Sequence, residues 1–205
     1  MNNIEISSIY EGMRLCCNQA TQLICDADLL LNNNSYSTAY SLYQLASEES
    51  SKIRILLRLA IEKNSGIILL DEQRGKYFSK LFRNHLEKIK LNATSDQNFN
   101  ELADKINFPK YRNDDSIQKE IDNPKESDLL KQNGFYVDIK DSKFISPKTQ
   151  IGEIECKELR DIVIFRHSRM KEIMEDYFQQ PEFYIKNFVA DINNQINLTP
   201  PKASN

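Results

Sequence analysis

AYSLYQLASEESSKIRILLRLA, residues 39–60, is the stretch from which the fold class of this sequence follows. Read as a helix, it carries small and apolar side chains in one stripe with steps of three and four residues, at Ala39, Leu42, Ala46, Ile53, Leu56 and Ala60. Glu49 takes the position that this stripe leaves open, and a carboxylate on a buried seam needs a partner. Lys52 can reach Glu49, and Glu48 pairs favourably with Lys52 on the same helix. In a helix register shifted by one residue, this pair lies at the surface instead.

A second apolar seam precedes this stretch and predicts a long helix packed lengthwise against it. The seam comprises Ile9, Met13, Cys16, Ala20, Leu23, Ala27 and Leu30. The polar run from Asn32 to Ser35 ends the first helix and provides a cap for the second, which should open near Ser37. The two helices are therefore expected to pack antiparallel, as a helical hairpin at the core of an all-α bundle.

The composition is that of one mostly helical domain. The chain has 205 residues, of which 28% are charged, with five glycines and no tryptophan. These values disfavour a β-sandwich or a doubly wound fold. Because the glycines are scattered, neither a dinucleotide fingerprint nor a P-loop can be built, and no cofactor is expected. A net charge of −3 argues against broad, non-specific nucleic-acid binding but allows a local basic patch.

The termini and apolar runs predict a cytoplasmic protein without membrane contact. The opening sequence, MNNIEISSIYEG, has no basic region followed by an apolar run, so it does not resemble a signal peptide. The longest apolar runs, 67–70 and 162–165, are far too short to span a bilayer.

A third helix is predicted from Lys76 to Leu91. His85 shares its apolar face with Phe78, Phe82 and Ile89, as Glu49 shares the stripe of the second helix. If the two stripes pack on each other, the imidazole and the carboxylate meet inside the bundle and each eases the burial of the other. A hydrogen-bonded core histidine is the alternative interpretation of His85.

The remainder of the domain, 1–196, is expected to decorate this core. Residues 92–127 form a polar, loop-rich insertion with a short helix at 98–106, and a further helix spans 126–132. Residues 135–146 form a small β-hairpin. A long helix from about 152 to 179 and a final helix over 183–196 follow, and residues 197–205 form a disordered tail.

The sequence resembles the AbiV family of bacterial abortive-infection proteins, which belongs to the HEPN superfamily of helical domains. The resemblance rests on the Ala46-x-Glu48-Glu49-x-x-Lys52 block, on Phe82-Arg83-Asn84-His85-x-x-Lys88, and on Gly134-Phe135-Tyr136-Val137-Asp138, within residues 9–147. It implies a helical domain, commonly a homodimer, that stops the growth of phage-infected cells. Many HEPN domains are metal-independent ribonucleases with an Arg-x(4–6)-His motif on a late helix.

One segment matches that motif. Arg160 precedes His167 by seven residues, and the polar residue Asp161 after the arginine also suits the pattern. The resemblance therefore implies that His167 acts as general acid or base on the ribose 2′-hydroxyl or the leaving oxygen, while Arg160 holds the phosphate. Both roles require solvent access. Three nearby basic residues, Arg166, Arg169 and Lys171, are the candidate RNA contacts.

A competing site is the block that carries the family resemblance, namely Glu49, Lys52, Arg83, His85 and Lys88. Lys80 precedes His85 at the spacing of the HEPN motif, but a lysine there replaces the arginine. A divalent metal held by Glu49 and His85 is a weaker hypothesis, because no third ligand has matching spacing. No metal site is therefore predicted.

The resulting hypothesis is a homodimeric, toxin-like ribonuclease that arrests translation by cutting tRNA, rRNA or mRNA, with a phage-encoded protein as a further candidate partner. The alternative is a non-catalytic protein that sequesters a phage or host factor. An enzyme should expose Arg160 and His167 of two chains around one basic cleft, whereas a binding protein can bury them or hold them apart.

Overall fold

The computed structural model describes residues 4–66, 72–140 and 142–198. Within them the chain is almost entirely helical, which confirms the all-α class. The elements are α1 (Ile6–Asn32), α2 (Tyr36–Ser65), α3 (Glu72–Arg83), α4 (His85–Lys105), α5 (Asp114–Asp122), α6 (Pro124–Asn133), β1 (Asp138–Lys140), β2 (Lys143–Ile145), a 3-10 turn (Pro147–Thr149), α7 (Glu153–Gln179) and α8 (Pro181–Leu198). No helix among these residues is both long enough and apolar enough to cross a bilayer.

The predicted helical hairpin is confirmed by the packing of α1 and α2. Near the connection the Tyr43 hydroxyl donates to Asp28, and at the far end Asn64 Nδ2 donates to the Tyr10 hydroxyl. A residue late in α1 thus contacts one early in α2, and a residue early in α1 contacts one late in α2. The two helices are therefore antiparallel. Asn34, with a φ of 58°, makes the tight turn between them.

Helix α2 is the central element of the bundle, because α1, α4, α6, α7 and α8 all pack against it. Among the residues that the structure describes, two apolar clusters form the core. The larger includes Ile9, Met13, Ile53, Phe78 and Tyr177, and the smaller includes Ala27, Ala39, Tyr43 and Val163. A helix contacted on most sides has little exposed surface, so α2 buries polar side chains as well as its apolar stripe.

The predicted third helix is two helices, and the prediction of one element over 76–91 is wrong. Helix α3 ends at Arg83 and α4 begins at His85. Asn84 separates them, and its side chain accepts hydrogen bonds from the backbone N–H groups of Leu86 and Glu87 at 3.0 and 3.3 Å. This N-cap satisfies donors that a helix start leaves free. His85 is therefore the first residue of a helix and not a member of a buried stripe.

The stretch expected to be rich in loops, 92–127, is mostly helical, which corrects that prediction. Helix α4 continues to Lys105, and α5 and the start of α6 lie in the same stretch. The apolar periodicity is weak because the inner face of α4 carries polar residues at helical spacing. Asn92, Asp96 and Asn100 are buried on that face and hydrogen-bonded to other elements.

The C-terminal elements follow the predictions closely. Strands β1 and β2 form an antiparallel hairpin in which Ile139 pairs with Phe144. The long helix α7 and the final helix α8 match the predicted spans within a few residues. Of the predicted tail, 197–205, the first two residues end α8, and 199–205 lie outside the described residues.

Candidate functional site

Of the adjacent acids Glu48 and Glu49 on α2, Glu48 is the buried one, so the prediction placed the wrong member of the pair in the core. The predicted apolar stripe itself is confirmed, since most of its members are buried, namely Ala39, Ala46, Ile53, Leu56 and Ala60. The Glu48 side chain is 4% exposed, while that of Glu49 is 21% exposed and lies 2.6 Å from Lys52 Nζ, at the edge of the bundle. The predicted pairing of Glu49 with Lys52 is present, as an ion pair near the surface. The predicted meeting of His85 with Glu49 inside the bundle is wrong, because the imidazole contacts Glu48 instead and more than half of it faces solvent.

Glu48 is enclosed by three basic side chains from two other helices. Lys131 Nζ on α6 donates to Oε1 at 2.7 Å, Lys88 Nζ on α4 lies 3.0 Å from Oε2, and His85 Nδ1 contacts Oε2. Burial alone would raise the pKa of Glu48, but the hydrogen bonds and charges of Lys131 and Lys88 outweigh it and lower that pKa. Glu48 is thus a fixed anion in the interior.

Helix α6 delivers Lys131 to this site through close packing on α2. The Ser41 hydroxyl donates to the Lys131 carbonyl at 2.7 Å. A Cβ atom at Gly134 would lie 2.0 Å from Ser41 Oγ and 2.3 Å from the Ser37 carbonyl oxygen, so only glycine permits this approach. Asp128 Oδ1 lies 2.7 Å from Lys131 Nζ. Although burial lowers the pKa of Lys131, Asp128 and Glu48 raise it overall, so this lysine stays charged.

His85 is held by Glu48 and still faces solvent, with a side chain that is 55% exposed. A carboxylate accepts hydrogen bonds, so Nδ1 carries the proton and donates to Glu48. In the neutral ring, Nε2 is then an acceptor on the exposed side. A histidine oriented in this way by a buried carboxylate is the arrangement that general-base catalysis uses.

Basic side chains lie on the chain immediately around His85. Arg83 and Lys80, on the last turn of α3, are exposed. Lys52 lies beside this turn, with Nζ 5.1 Å from the centre of the Phe82 ring. Of the competing site, the structure brings His85 and Lys88 onto Glu48. Glu49 and Lys52 pair with each other instead, and Arg83 is near His85 only along the chain.

The donor set around Glu48 suits an ion-pair cluster better than a metal ion. Ligand atoms of Glu48, His85 and Asp128 all lie within 4.8 Å of one another, a spacing compatible with one cation. However, the ammonium groups of Lys88 and Lys131 already neutralise the two carboxylates. A metal would have to displace Lys131 from between them, so the residues do not fit a metal site.

His167 occupies the interior and is 7% exposed. Its Nε2 lies 3.0 Å from Thr21 Oγ1, whose own proton is donated to the Cys17 carbonyl, so Nε2–H donates to Thr21. Nδ1 then accepts from the Ser50 hydroxyl at 3.0 Å. Burial, followed by the charge of Lys171, lowers the pKa of His167. Both ring nitrogens are satisfied in a neutral ring that solvent hardly reaches.

Arg160 is held apart from His167 by its own ion pair. Its Nε donates to Asp28 at 2.6 Å, and Nη1 donates to Asp161 at 3.2 Å. The hydrogen bond that Arg160 donates to Asp28 is the main reason that the pKa of Arg160 is raised. The cavity beside it, of about 350 Å³, is lined by Asp28, Leu31, Asn32, Lys157 and Asp161 together with Arg160, and His167 takes no part in it.

The three predicted RNA contacts on α7 lie in different environments. Arg166 is buried, with Asp96 at 2.5 Å and Glu120 at 3.1 Å, which corrects its prediction as an RNA contact. Burial lowers its pKa, but these two carboxylates raise it overall. Arg169 stacks 4.4 Å from the centre of the Phe99 ring. Only Lys171 is a well-exposed side chain, 3.9 Å from Glu175.

Sequence reasoning missed Lys131 and Asp128, and it undervalued Glu48. Lys131 lies 83 residues from Glu48 in a polar segment without a seam, so no local pattern indicated the contact. The available signal was the position of Glu48, because a carboxylate inside a helix that is buried on most sides must find a counter-charge.

Comparisons with known proteins give one match. A family model described as AbiV, a HEPN type, matches residues 8–163, about three quarters of the chain. The matched span contains Glu48, His85, Lys88 and Lys131 and ends four residues before His167. Neither the curated proteins nor the solved structures contain a match.

Proposed function

The chain belongs to the AbiV family of abortive-infection proteins, and we propose that it arrests infected cells by cleaving RNA at the side chain of His85. One observation carries the proposal, namely the solvent-facing imidazole of His85 held by the buried carboxylate of Glu48. Arg160 and His167 have the expected sequence motif, but His167 lacks the solvent access that the reaction requires.

In the proposed step, Nε2 of His85 removes the proton from a ribose 2′-hydroxyl. The 2′-oxygen attacks the adjacent phosphorus, the bond from phosphorus to the 5′-oxygen breaks, and the leaving oxygen takes a proton from water. The products are a 2′,3′-cyclic phosphate and a 5′-hydroxyl end. Glu48 stabilises the imidazolium that forms and fixes the ring orientation, since it stays ionised.

Substrate binding is assigned to the basic side chains beside His85, of which Arg83 and Lys80 are exposed and Lys52 is partly buried. Arg83 and Lys80 flank the ring along the chain, and Lys52 lies on the adjoining helix. A guanidinium can hold the phosphate and its developing charge. Cellular tRNA, rRNA or mRNA is the substrate class, and cleavage stops translation.

The proposal includes a homodimer and an inactive resting state. A toxin that its own host tolerates must be restrained until infection, and a phage-encoded protein is the proposed trigger. Growth arrest after mild expression in uninfected cells would count against this restraint.

The test compares His85→Gln with the matched control His167→Gln. Each variant is induced in a bacterial host with and without phage, and RNA ends are mapped alongside growth. We expect the wild type and His167→Gln to generate 2′,3′-cyclic phosphate ends and His85→Gln to lose cleavage by about 10²–10⁴-fold. The proposal is contradicted if the RNA of arrested cells is intact, or if only His167→Gln abolishes cleavage.

A second candidate function is sequestration of a protein, and the β-hairpin favours it. Tyr136, Val137, Ile139 and Phe144 are exposed there, with Phe144 79% exposed. Contiguous exposed apolar surface is typical of interaction sites. If arrested cells keep whole RNA and Phe144→Asp restores their growth while His85→Gln does not, sequestration replaces cleavage as the function.

A further inference from the structure

A small cavity separate from the His85 site lies between α2, α4 and α7. Its volume is about 60 Å³, and three arginines, Arg54, Arg166 and Arg169, line it. The one acidic residue in its lining is Asp96. Arg54 lies six residues beyond Glu48 on α2, roughly 9 Å along the helix axis.

Arg54 is the unusual member of this lining. A guanidinium has five N–H donors, and the hydrogen bond of Arg54 is from Nη1 to the Leu91 carbonyl at 3.0 Å. Across 4–66, 72–140 and 142–198, no carboxylate forms an ion pair with it. Arg54 is partly buried, and a charge withdrawn from much of its water is normally paired in proteins, because the loss of hydration is otherwise uncompensated.

The neighbouring carboxylate, Asp96, forms its hydrogen bonds with arginines other than Arg54. Asp96 already accepts from Arg166 at 2.5 Å and from Arg112 at 2.9 Å. Glu120 contacts the same two arginines. These two acids and two arginines balance one another, which leaves the positive charges of Arg54 and Arg169 in excess at the cavity.

Two further features support an anion at this place. Burial lowers the pKa of Arg54 to about 10, and the charges of Arg166 and Arg169 add to that effect while Asp96 opposes it. The guanidinium of Arg169 is held over the Phe99 ring at 4.4 Å, on the cavity wall. An anion between Arg54 and Arg169 would relieve their mutual repulsion.

We propose that this cavity binds a phosphate group, which Arg54 and Arg169 hold. Arginine recognises phosphate through paired N–H donors, and a cavity of about 60 Å³ offers the space of two water molecules, enough for one small oxyanion group. The site does not depend on RNA cleavage at His85. The phosphate can be free in solution or belong to an RNA chain.

The test measures the thermal unfolding midpoint of the full chain with inorganic phosphate, at ionic strength kept constant with sodium chloride. At about ten times its dissociation constant, phosphate should raise the midpoint of the wild type by about 3–5 °C. The rise should vanish in Arg54→Met and shrink at least twofold in Arg169→Met. Arg14→Met, which removes an exposed arginine of α1 that lies over the Phe178 ring, should keep the full rise in the midpoint.

An absent rise in the wild type, or an equal rise in Arg54→Met, overturns the proposal. If Arg54→Met does not fold, the comparison of Arg169→Met with Arg14→Met decides in the same way. A 2′-O-methyl RNA trinucleotide identifies the source. A larger Arg54-dependent rise with the trinucleotide than with phosphate at equal concentration assigns the cavity to an RNA chain, and equal rises assign it to free phosphate.

Discussion

The two histidines of the chain occupy opposite environments. His85 opens α4 with more than half of its side chain in solvent and one nitrogen on a buried carboxylate. His167 lies within α7 between two hydroxyl groups, with both nitrogens satisfied. The motif with the better sequence match therefore has the less reactive environment. Spacing along a helix identifies residues on one face, but it does not reveal whether that face meets solvent.

The regions around the two histidines also differ in charge: ion pairs surround His85, and neutral hydroxyl groups contact the ring of His167. Around His85, a carboxylate is balanced by lysines that come from α4 and α6. Around His167, neutral hydroxyls suffice because the ring itself stays neutral. Substitutions in the first region should therefore alter charge balance and function together, whereas those in the second should alter stability alone.

The largest effect on stability should come from Glu48→Ala. This change leaves Lys88 and Lys131 buried without their shared counter-ion, and breaking a buried ion pair costs about 3–5 kcal/mol. Glu49→Ala is the matched control, because its ion pair with Lys52 is partly exposed and contributes at most about 1 kcal/mol. Urea unfolding of both variants measures the difference. Equal losses would show that Glu48 is not the buried member.

A smaller effect on stability is expected from Gly134→Ala. This substitution tests whether the close packing of α6 on α2 places Lys131 at Glu48. The added methyl would overlap the Ser37 backbone and Ser41 Oγ, and overpacking of this kind costs about 1–3 kcal/mol. Gly66→Ala is the control, since it strains the backbone at a φ of 64° while its methyl group meets only open space. We expect Gly134→Ala, but not Gly66→Ala, to reduce RNA cleavage as well. Unchanged cleavage would separate α6 from the site.

The smallest effect is expected in the pH dependence of stability, through His167. The pKa of folded His167 is lowered from the ordinary 6.5, so the unfolded chain binds more protons there. Its contribution to stability is thus complete above pH 6.5 and declines as the pH falls below that value toward the folded pKa. In urea titrations from pH 7.5 to about 5, His167→Gln should lose less stability than the wild type. Parallel losses would contradict a neutral, buried His167.

The helical hairpin was predictable from sequence, because the α1 and α2 seams are sustained apolar stripes that the core buries. The site was less predictable, since α2 is enclosed on most sides and a single apolar stripe marks just one of its faces. Glu48 lies on another face, toward α4 and α6, where its neighbours on the helix include Ser47 and Ser51. A helix face that buries hydrogen-bonded polar side chains shows no periodic pattern of apolar residues in the sequence.

The break between α3 and α4 illustrates a second limit. Asn84 is a good N-cap, yet it stands inside an apolar pattern that continues from Phe78 to Ile89. The pattern indicated one helix, and the cap that places His85 at a helix start was overlooked. The family resemblance pointed to both histidines, and only their surroundings in the fold distinguish them.

The most direct test of these assignments is the rate at which diethyl pyrocarbonate modifies each histidine of the intact full chain, followed by mass spectrometry. His85 should react at least about tenfold faster than His167, because the interior ring reacts only when the bundle opens. A 2′-O-methyl RNA oligonucleotide, which the site can bind but not cleave, should slow modification of His85 and leave that of His167 unchanged. Faster reaction of His167, or an RNA that protects neither residue, would contradict a functional site at His85.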